Sequence, residues 1–202
     1  MQQFDTLNQA LDNESFCNDL DDLNLTSCYQ QLNNSAARLD LYNSLVAENI
    51  NPFSNMEEIP DYLFYKSPIQ SVIIPANIDK IGIGAFEDCF KLESVTFENG
   101  IIAIKTSAFE SCIRLKSITL PSSLRYLHSY SFGACQSLHD IKIEANDDLY
   151  INPYTFKNCF GLRKITFDGT IEEWGSICTS SKVFDGCFDV TVICLDGVIQ
   201  VC

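Results

Sequence analysis

One phrase, A-F-x-x-C-x-x-L-x-x-I-x-[LF], returns down this chain at near-constant spacing, and its period restricts the fold more than any other feature. It reads Ala85, Phe86, Cys89, Leu92, Val95 and Phe97, then Ala108, Phe109, Cys112, Leu115, Ile118 and Leu120. Two further copies run through Phe132, Cys135, Leu138, Ile141 and Ile143, and through Phe156, Cys159, Leu162, Ile165 and Phe167. The cysteines step by 23, 23 and 24 residues, and the phenylalanines step with them. A period in the twenties implies a solenoid. Each copy supplies a short strand and a return segment, and neighbouring copies bury one another's apolar faces.

Within a copy, the apolar residues of L-x-x-I-x-L alternate with period two, so this stretch reads as a strand with one buried face. Phe, Cys and Leu at i, i+3 and i+6 predict a short helical turn that closes the core from behind. Pro75 and Pro121 stop their strands after the last inward residue, and Gly82, Gly84 and Gly133 mark turns. An earlier copy runs through Ile59, Phe64, Ile69, Val72 and Ile74, without a cysteine. A stretched last copy runs through Phe184, Cys187, Val190, Ile193 and Leu195, with Leu162 to Gly169 aligning without gaps to Val190 to Gly197. The extra residues, Gly169 to Lys182, surround the only tryptophan, Trp174. A modified terminal repeat is expected because an exposed solenoid end must be capped.

Residues 1–58 differ in kind. Phe4, Leu7 and Leu11 in one stretch, and Leu39, Leu41, Leu45 and Val46 in another, have helical spacing, and Asn33, Asn34 and Ser35 offer an N-cap to the second. The expected organisation is an acidic, mainly helical N-terminal region at 1–58 and a repeat domain at 59–202. Residues 168–202 form the modified C-terminal capping repeat. Residues 36–58 are expected to cap the open end of the solenoid.

The ten cysteines suggest a disulfide framework until their positions are compared. Cys89, Cys112, Cys135, Cys159 and Cys187 share one repeat position, beside Phe86, Phe109, Phe132, Phe156 and Phe184, so the ladder reads as structural. Reduced, buried thiols are the expectation. C-x-x-C is absent, and His128 and His139 are the only imidazoles, so no metal site and no cofactor are predicted. The net charge is −14, of which −9 falls in residues 1–58. Such an acidic surface disfavours nucleic acid and anionic membranes. No apolar run is long enough for membrane insertion, and Met1 to Asn13 shows no basic leader or apolar stretch. A cytoplasmic location is expected for the sequence as written, with cell-surface or virion association as the alternative.

The complete copy at Ile104, Ala108, Phe109, Cys112, Leu115, Ile118, Leu120 and Pro121 resembles the BspA-like (Treponema pallidum-type) leucine-rich repeats. The closing F-D-G-T-I-E-E-W (Phe167 to Trp174) and T-V-I-C-L-D-G (Thr191 to Gly197) are similar to that family's usual ending. The resemblance covers about residues 59–202. It implies an α/β solenoid of about six repeats, a right-handed superhelix with a parallel concave β-sheet, and a role in protein recognition or surface adhesion. Departures are Ser131, Thr155 and Val183 at the family's usual alanine, and a proline after only two strands. The segments L-D-L-Y-N-S-L-V-A-E-N-I-N and I-P-D-Y-L, within Leu39 to Leu63, resemble short helical modules of phage structural proteins.

Two surfaces are candidate sites. On the concave strand face the outward residues Thr96, Lys116, Thr119, His139, Lys142, Arg163, Lys164 and Thr166 form a partly basic patch on an acidic protein. That patch is suited to docking an acidic protein surface. The second is the residue after each cysteine: Phe90, Ile113, Phe160 and Phe188, with Gln136 among them. This convex row is expected to fold back over the turns and finish the core. Exposed, it would instead invite a partner or self-association. The expected function is therefore non-catalytic binding of a protein, with a surface- or virion-associated adhesin for host protein or glycan as the rival. An enzymatic reading would take Cys135 with His128 or His139 as nucleophile and base. A metal-dependent version would use Asp147 and Asp148, or Asp19, Asp21 and Asp22. The acidic stretches lack the glycine and closing glutamate of a calcium loop, and phosphate-loop and nucleophile-elbow motifs are absent.

Overall fold

The computed structural model describes residue 29, residue 32 and residues 34–47, 51–146 and 148–201. The first expected helix, the aspartates at 19, 21, 22 and 147, and Cys17, Cys28 and Cys202 lie outside the described residues.

Each of the first five coils carries a four-residue strand on one side and a two-residue strand on the other, and the sixth carries the four-residue strand alone. The short strands β1 (Glu58–Ile59), β3 (Lys80–Ile81), β5 (Ala103–Ile104), β7 (Tyr126–Leu127) and β9 (Tyr150–Ile151) form one sheet in that order. The long strands begin with β2 (Ser71–Ile74) and β4 (Ser94–Phe97), paired in parallel. They continue with β6 (Ser117–Leu120), β8 (Asp140–Ile143), β10 (Lys164–Phe167) and β11 (Thr191–Cys194), also parallel. The hydrogen-bond ladder is interrupted between β4 and β6, which still lie side by side. Six long strands give about six coils, as the sequence period implies. Register follows the repeat: Ile118 faces Ile141, and Ile141 faces Ile165. In β2 and β6 the exposed and buried residues alternate, which is the period-two pattern of a half-buried strand.

The phenylalanine–cysteine segment is not a helical turn. A helix would spend its N–H groups along its own axis. Here they alternate between the chain's own coil and the next one. The N–H groups of Ala85, Glu87 and Cys89 reach back three residues, to Gly82, Gly84 and Phe86. Those of Gly84, Phe86 and Asp88 cross to the carbonyls of Thr106, Ala108 and Glu110. This weave needs left-handed residues two positions before and two positions after the phenylalanine. They recur as Tyr62 and Lys66, Gly84 and Asp88, Ser107 and Ser111, Tyr130 and Ala134, and Tyr154 and Asn158. Most are not glycine, so the coil-to-coil bonds outweigh a local cost of roughly 1–2 kcal/mol per residue.

Inside, the phenylalanines stack. Centroids of Phe64, Phe86, Phe109 and Phe132 follow one another at 5.3, 5.0 and 5.3 Å, with rings within 11° of parallel. Phe156 and Phe184 extend the column at 5.8 Å steps. Beside it each cysteine donates its thiol to the phenylalanine carbonyl of the coil before: Cys89 to Phe64, Cys112 to Phe86, Cys135 to Phe109, Cys159 to Phe132 and Cys187 to Phe156, all at 3.0–3.2 Å. The seven cysteines among the described residues are free thiols. Burial pushes the Cys89 thiol up to about 12 and raises Cys112 and Cys135 as well. In the first coil buried Ser67 holds the cysteine position, and its hydroxyl has no hydrogen-bond partner among the described residues.

Helix α1 (Ser35–Ala47) lies over the first coil. Asn34 caps it, its side-chain oxygen accepting the Ala37 N–H at 2.8 Å. Leu41, Tyr42 and Leu45 are buried. Tyr42 packs 5.8 Å from both Phe53 and Phe64, and Arg38 donates to the Leu63 carbonyl at 2.9 Å. At the other end, helix α2 (Ile171–Ile177) opens with a reciprocal capping box between Thr170 and Glu173. It sets Trp174 between Phe167 and Phe184. Strand β12 (Gly197–Gln200) then pairs antiparallel with β11 and ends the sheet.

The last coil corrects the sequence alignment by one residue. Ile165 pairs with Val192, not Ile193. Val190, Val192 and Cys194 point inward, while Ile193 is 38% and Leu195 75% exposed. Asp189, at φ 55°, turns the chain just before Val190, so the inward alternation starts at once. A one-residue offset in a strand exchanges its two faces.

Candidate partner-binding face

The outward residues of the long strands form two columns. One runs Ser71, Ser94 and Ser117, then Asp140, Lys164 and Thr191; the other runs Ile73, Thr96 and Thr119, then Lys142, Thr166 and Ile193. Ser94, Thr96, Ser117, Thr119, Lys142 and Lys164 are exposed, and Thr166 is half-buried. Lys116, His139 and Arg163, just ahead of their strands, are also exposed. All eight residues singled out from the sequence thus lie on or at the margin of one face, held in register by the parallel ladder.

The basic residues of this face are mostly engaged. Lys164 reaches Asp140 at 2.7 Å and Lys142 reaches Asp168 at 2.9 Å. His139 Nδ1 lies 2.6 Å from the Asp140 carboxylate. Hydrogen bonding from Lys164, and then from His139, holds Asp140 below the usual carboxylate range. The Asp168 carboxylate raises Lys142. Arg163 turns its guanidinium onto the carbonyls of Phe160, Leu162 and Phe188, tying the fifth coil to the sixth. Lys116 has no ion-pair partner among the described residues. The face is thus polar, with mixed and largely paired charge. Asp168 and the pairing of Asp140 with Lys164 are not part of the sequence reading. The signal was present, because Asp140 and Lys164 hold the same repeat position one coil apart.

The row after the cysteines does not fold back over the core. Phe90 is 46%, Ile113 39%, Phe160 49% and Phe188 62% exposed. The left-handed residue before each cysteine explains this. It forces a tight turn in which the Phe90, Ile113 and Phe160 N–H groups bond back two residues, aiming the side chains outward. A further open groove of about 860 Å³ runs between α1 and β2, lined by Leu39, Tyr42, Val46, Ile73 and Pro75 among others. No group of three or more His, Cys, Asp or Glu side chains able to hold a metal ion occurs among the described residues. No helix among them is long and apolar enough to cross a membrane.

Parallel coils with inward L-x-x-I-x-L strands and buried phenylalanine and cysteine ladders define a leucine-rich repeat solenoid. The chain belongs to the BspA type leucine rich repeat family, whose repeat region matches in six copies over residues 57–191. The T. pallidum leucine rich repeat protein is similar in fold, with TM-score 0.58 and 23% identity over 69% of this chain and 64% of that one. A leucine rich cell surface protein of Faecalibacterium prausnitzii superimposes with TM-score 0.57 and 29% identity, over 63% of this chain and 34% of that one. This chain therefore spans less than two thirds of either relative. No curated protein matches it.

Proposed function

We propose that this chain is a non-catalytic protein-binding module and that the long-strand face is its recognition surface. The observation that carries this reading is the openness of that face. Thr96, Thr119 and Lys142 stand exposed on successive strands of a scaffold whose interior is filled by stacked side chains. Thr96, Lys116, Thr119, His139, Lys142, Arg163, Lys164 and Thr166 are the proposed contact residues. Because Lys142 and Lys164 already hold carboxylates, the partner is one that offers hydrogen bonds and mixed charge, with Lys116 supplying the unpaired cation. Cys135, the nucleophile of an enzymatic reading, is buried, and its thiol donates to a backbone carbonyl. The F. prausnitzii relative is a cell surface protein, which supports display at a cell surface, and with it adhesion, as a second reading.

Affinity capture from the native host's lysate tests the proposal, using the intact chain and a Lys116→Glu/Thr119→Glu variant. Both changes fall on exposed positions, so the variant keeps its fold. A protein retained by the first and lost by the second is the expected result. Equal retention by both would reject the strand face as the site.

A further inference from the structure

The geometry points to a second surface that binds another copy of this chain: the exposed row Phe90, Ile113, Gln136, Phe160 and Phe188. These residues follow the stacked cysteines, so they stand one per coil, about 4.8 Å apart, on a strip roughly 20 Å long. Taking about 200 Å² for a phenylalanine, the exposed parts of Phe90, Phe160 and Phe188 alone offer about 300 Å² of apolar surface. A stable interface needs about 800 Å² per partner, with an apolar centre and a polar rim. The strip supplies the centre.

The rim decides the occupant. In the second and third coils, the chain ahead of the row carries Glu87, Asp88 and Glu110, and the chain after it carries Lys91, Arg114 and Lys116. Burial raises the Glu87 carboxyl, and the charges of Glu110 and Asp88 raise it further against the opposing pull of Lys66 in the first coil, so these three acids share one side. Of the three bases, only Arg114 has an ion-pair partner among the described residues, an exposed contact to Glu93 at 3.6 Å. One edge of the strip is therefore acidic and the other basic at the same level of the stack. A two-fold axis parallel to the stack places the acidic edge of each copy on the basic edge of the other. It also lays every row residue on its own counterpart, so Phe160 meets Phe160. Gln136, the one polar residue in the row, meets an amide that both donates and accepts. A two-fold axis across the stack would instead set like charge on like charge. This surface meets the strand face only at Lys116, which every variant below leaves unchanged, so its test does not depend on what binds there.

Sedimentation equilibrium of the full chain across the micromolar range tests this. The expected result is a mass that rises with concentration from 22.7 kDa to twice that value. Phe160→Asp should weaken the dimer at least about tenfold. Lys91→Glu/Arg114→Glu makes both edges acidic, and Glu87→Lys/Glu110→Lys makes both basic. Each variant alone should be monomeric, and an equimolar mixture should dimerise. That recovery separates edge pairing from misfolding, because an unfolded variant gains nothing from its complement. A monomeric parent chain, variants that each dimerise like the parent, or a mixture that stays monomeric would each overturn the proposal.

Discussion

Cys135 donates its thiol to the carbonyl oxygen of Phe109, one coil away, at 3.2 Å. The same oxygen accepts the backbone N–H of Cys112, so the cysteine supplies a second donor as well as apolar volume. Alanine supplies no donor and less volume. Cys135→Ala should lower the free energy of unfolding by about 1–2 kcal/mol, measured by urea denaturation. An unchanged midpoint would mean that the thiol is no more than a spacer.

Ala134 sits at φ 54°, the second left-handed position of the fourth coil. Glycine reaches that conformation without the steric cost of a Cβ. Ala134→Gly is expected to stabilise the chain by about 0.5–1 kcal/mol, although glycine usually destabilises. Ala134→Val should destabilise it. Thermal unfolding of the two variants would show opposite shifts, and a loss with glycine would contradict the turn geometry.

Burial lifts the Cys89 thiol from its ordinary value of 9.0 to about 12. The folded state therefore holds that proton more tightly than the unfolded state does. Its contribution to stability is complete below pH 9 and is lost as the pH rises through about 12. Two outcomes follow. Stability should fall across that alkaline window, and iodoacetamide at pH near 8 should label Cys89, Cys112, Cys135 and Cys159 only after denaturant is added. Mass spectrometry of the labelled peptides reads this directly. Rapid labelling of the native chain would contradict the buried ladder.

How far the sequence reached can be judged residue by residue. The period of Phe86, Phe109 and Phe132 and the alternation in L-x-x-I-x-L led to stacked parallel coils, because burial periodicity is written in residue type. Asn34 was legible as a cap for the same local reason. The weave of turns was not, since Ser111 and Ala134 give no side-chain signal for a left-handed backbone and Asn158 alone does not reveal a repeat. That omission led to the wrong direction for Phe90 and Phe160. The register of β11 was missed because the ungapped match of Ile193 to Ile165 favours residue similarity over strand pairing, and both Val192 and Ile193 are apolar. The pairing of Lys164 with Asp140 needs the register before the charges can be read.

Tyr42 joins helix α1 to the first coil through Phe53 and Phe64. Removing its ring should cost about 3 kcal/mol locally. In a solenoid each coil touches only its neighbours, so the loss should stay at that end. In Tyr42→Ala, amide hydrogen exchange should quicken in residues 62–74 and remain unchanged in residues 140–167. Uniform acceleration would show that the coils unfold as one unit.

The most direct test of strand-face recognition is amide hydrogen exchange on the complex with a captured partner. Slowed exchange in the segments bearing Ser94–Phe97, Ser117–Leu120, Asp140–Ile143 and Lys164–Phe167 is the predicted result. Protection confined to the turns around Phe90, Ile113 and Phe160, with those four strands unaffected, would contradict it.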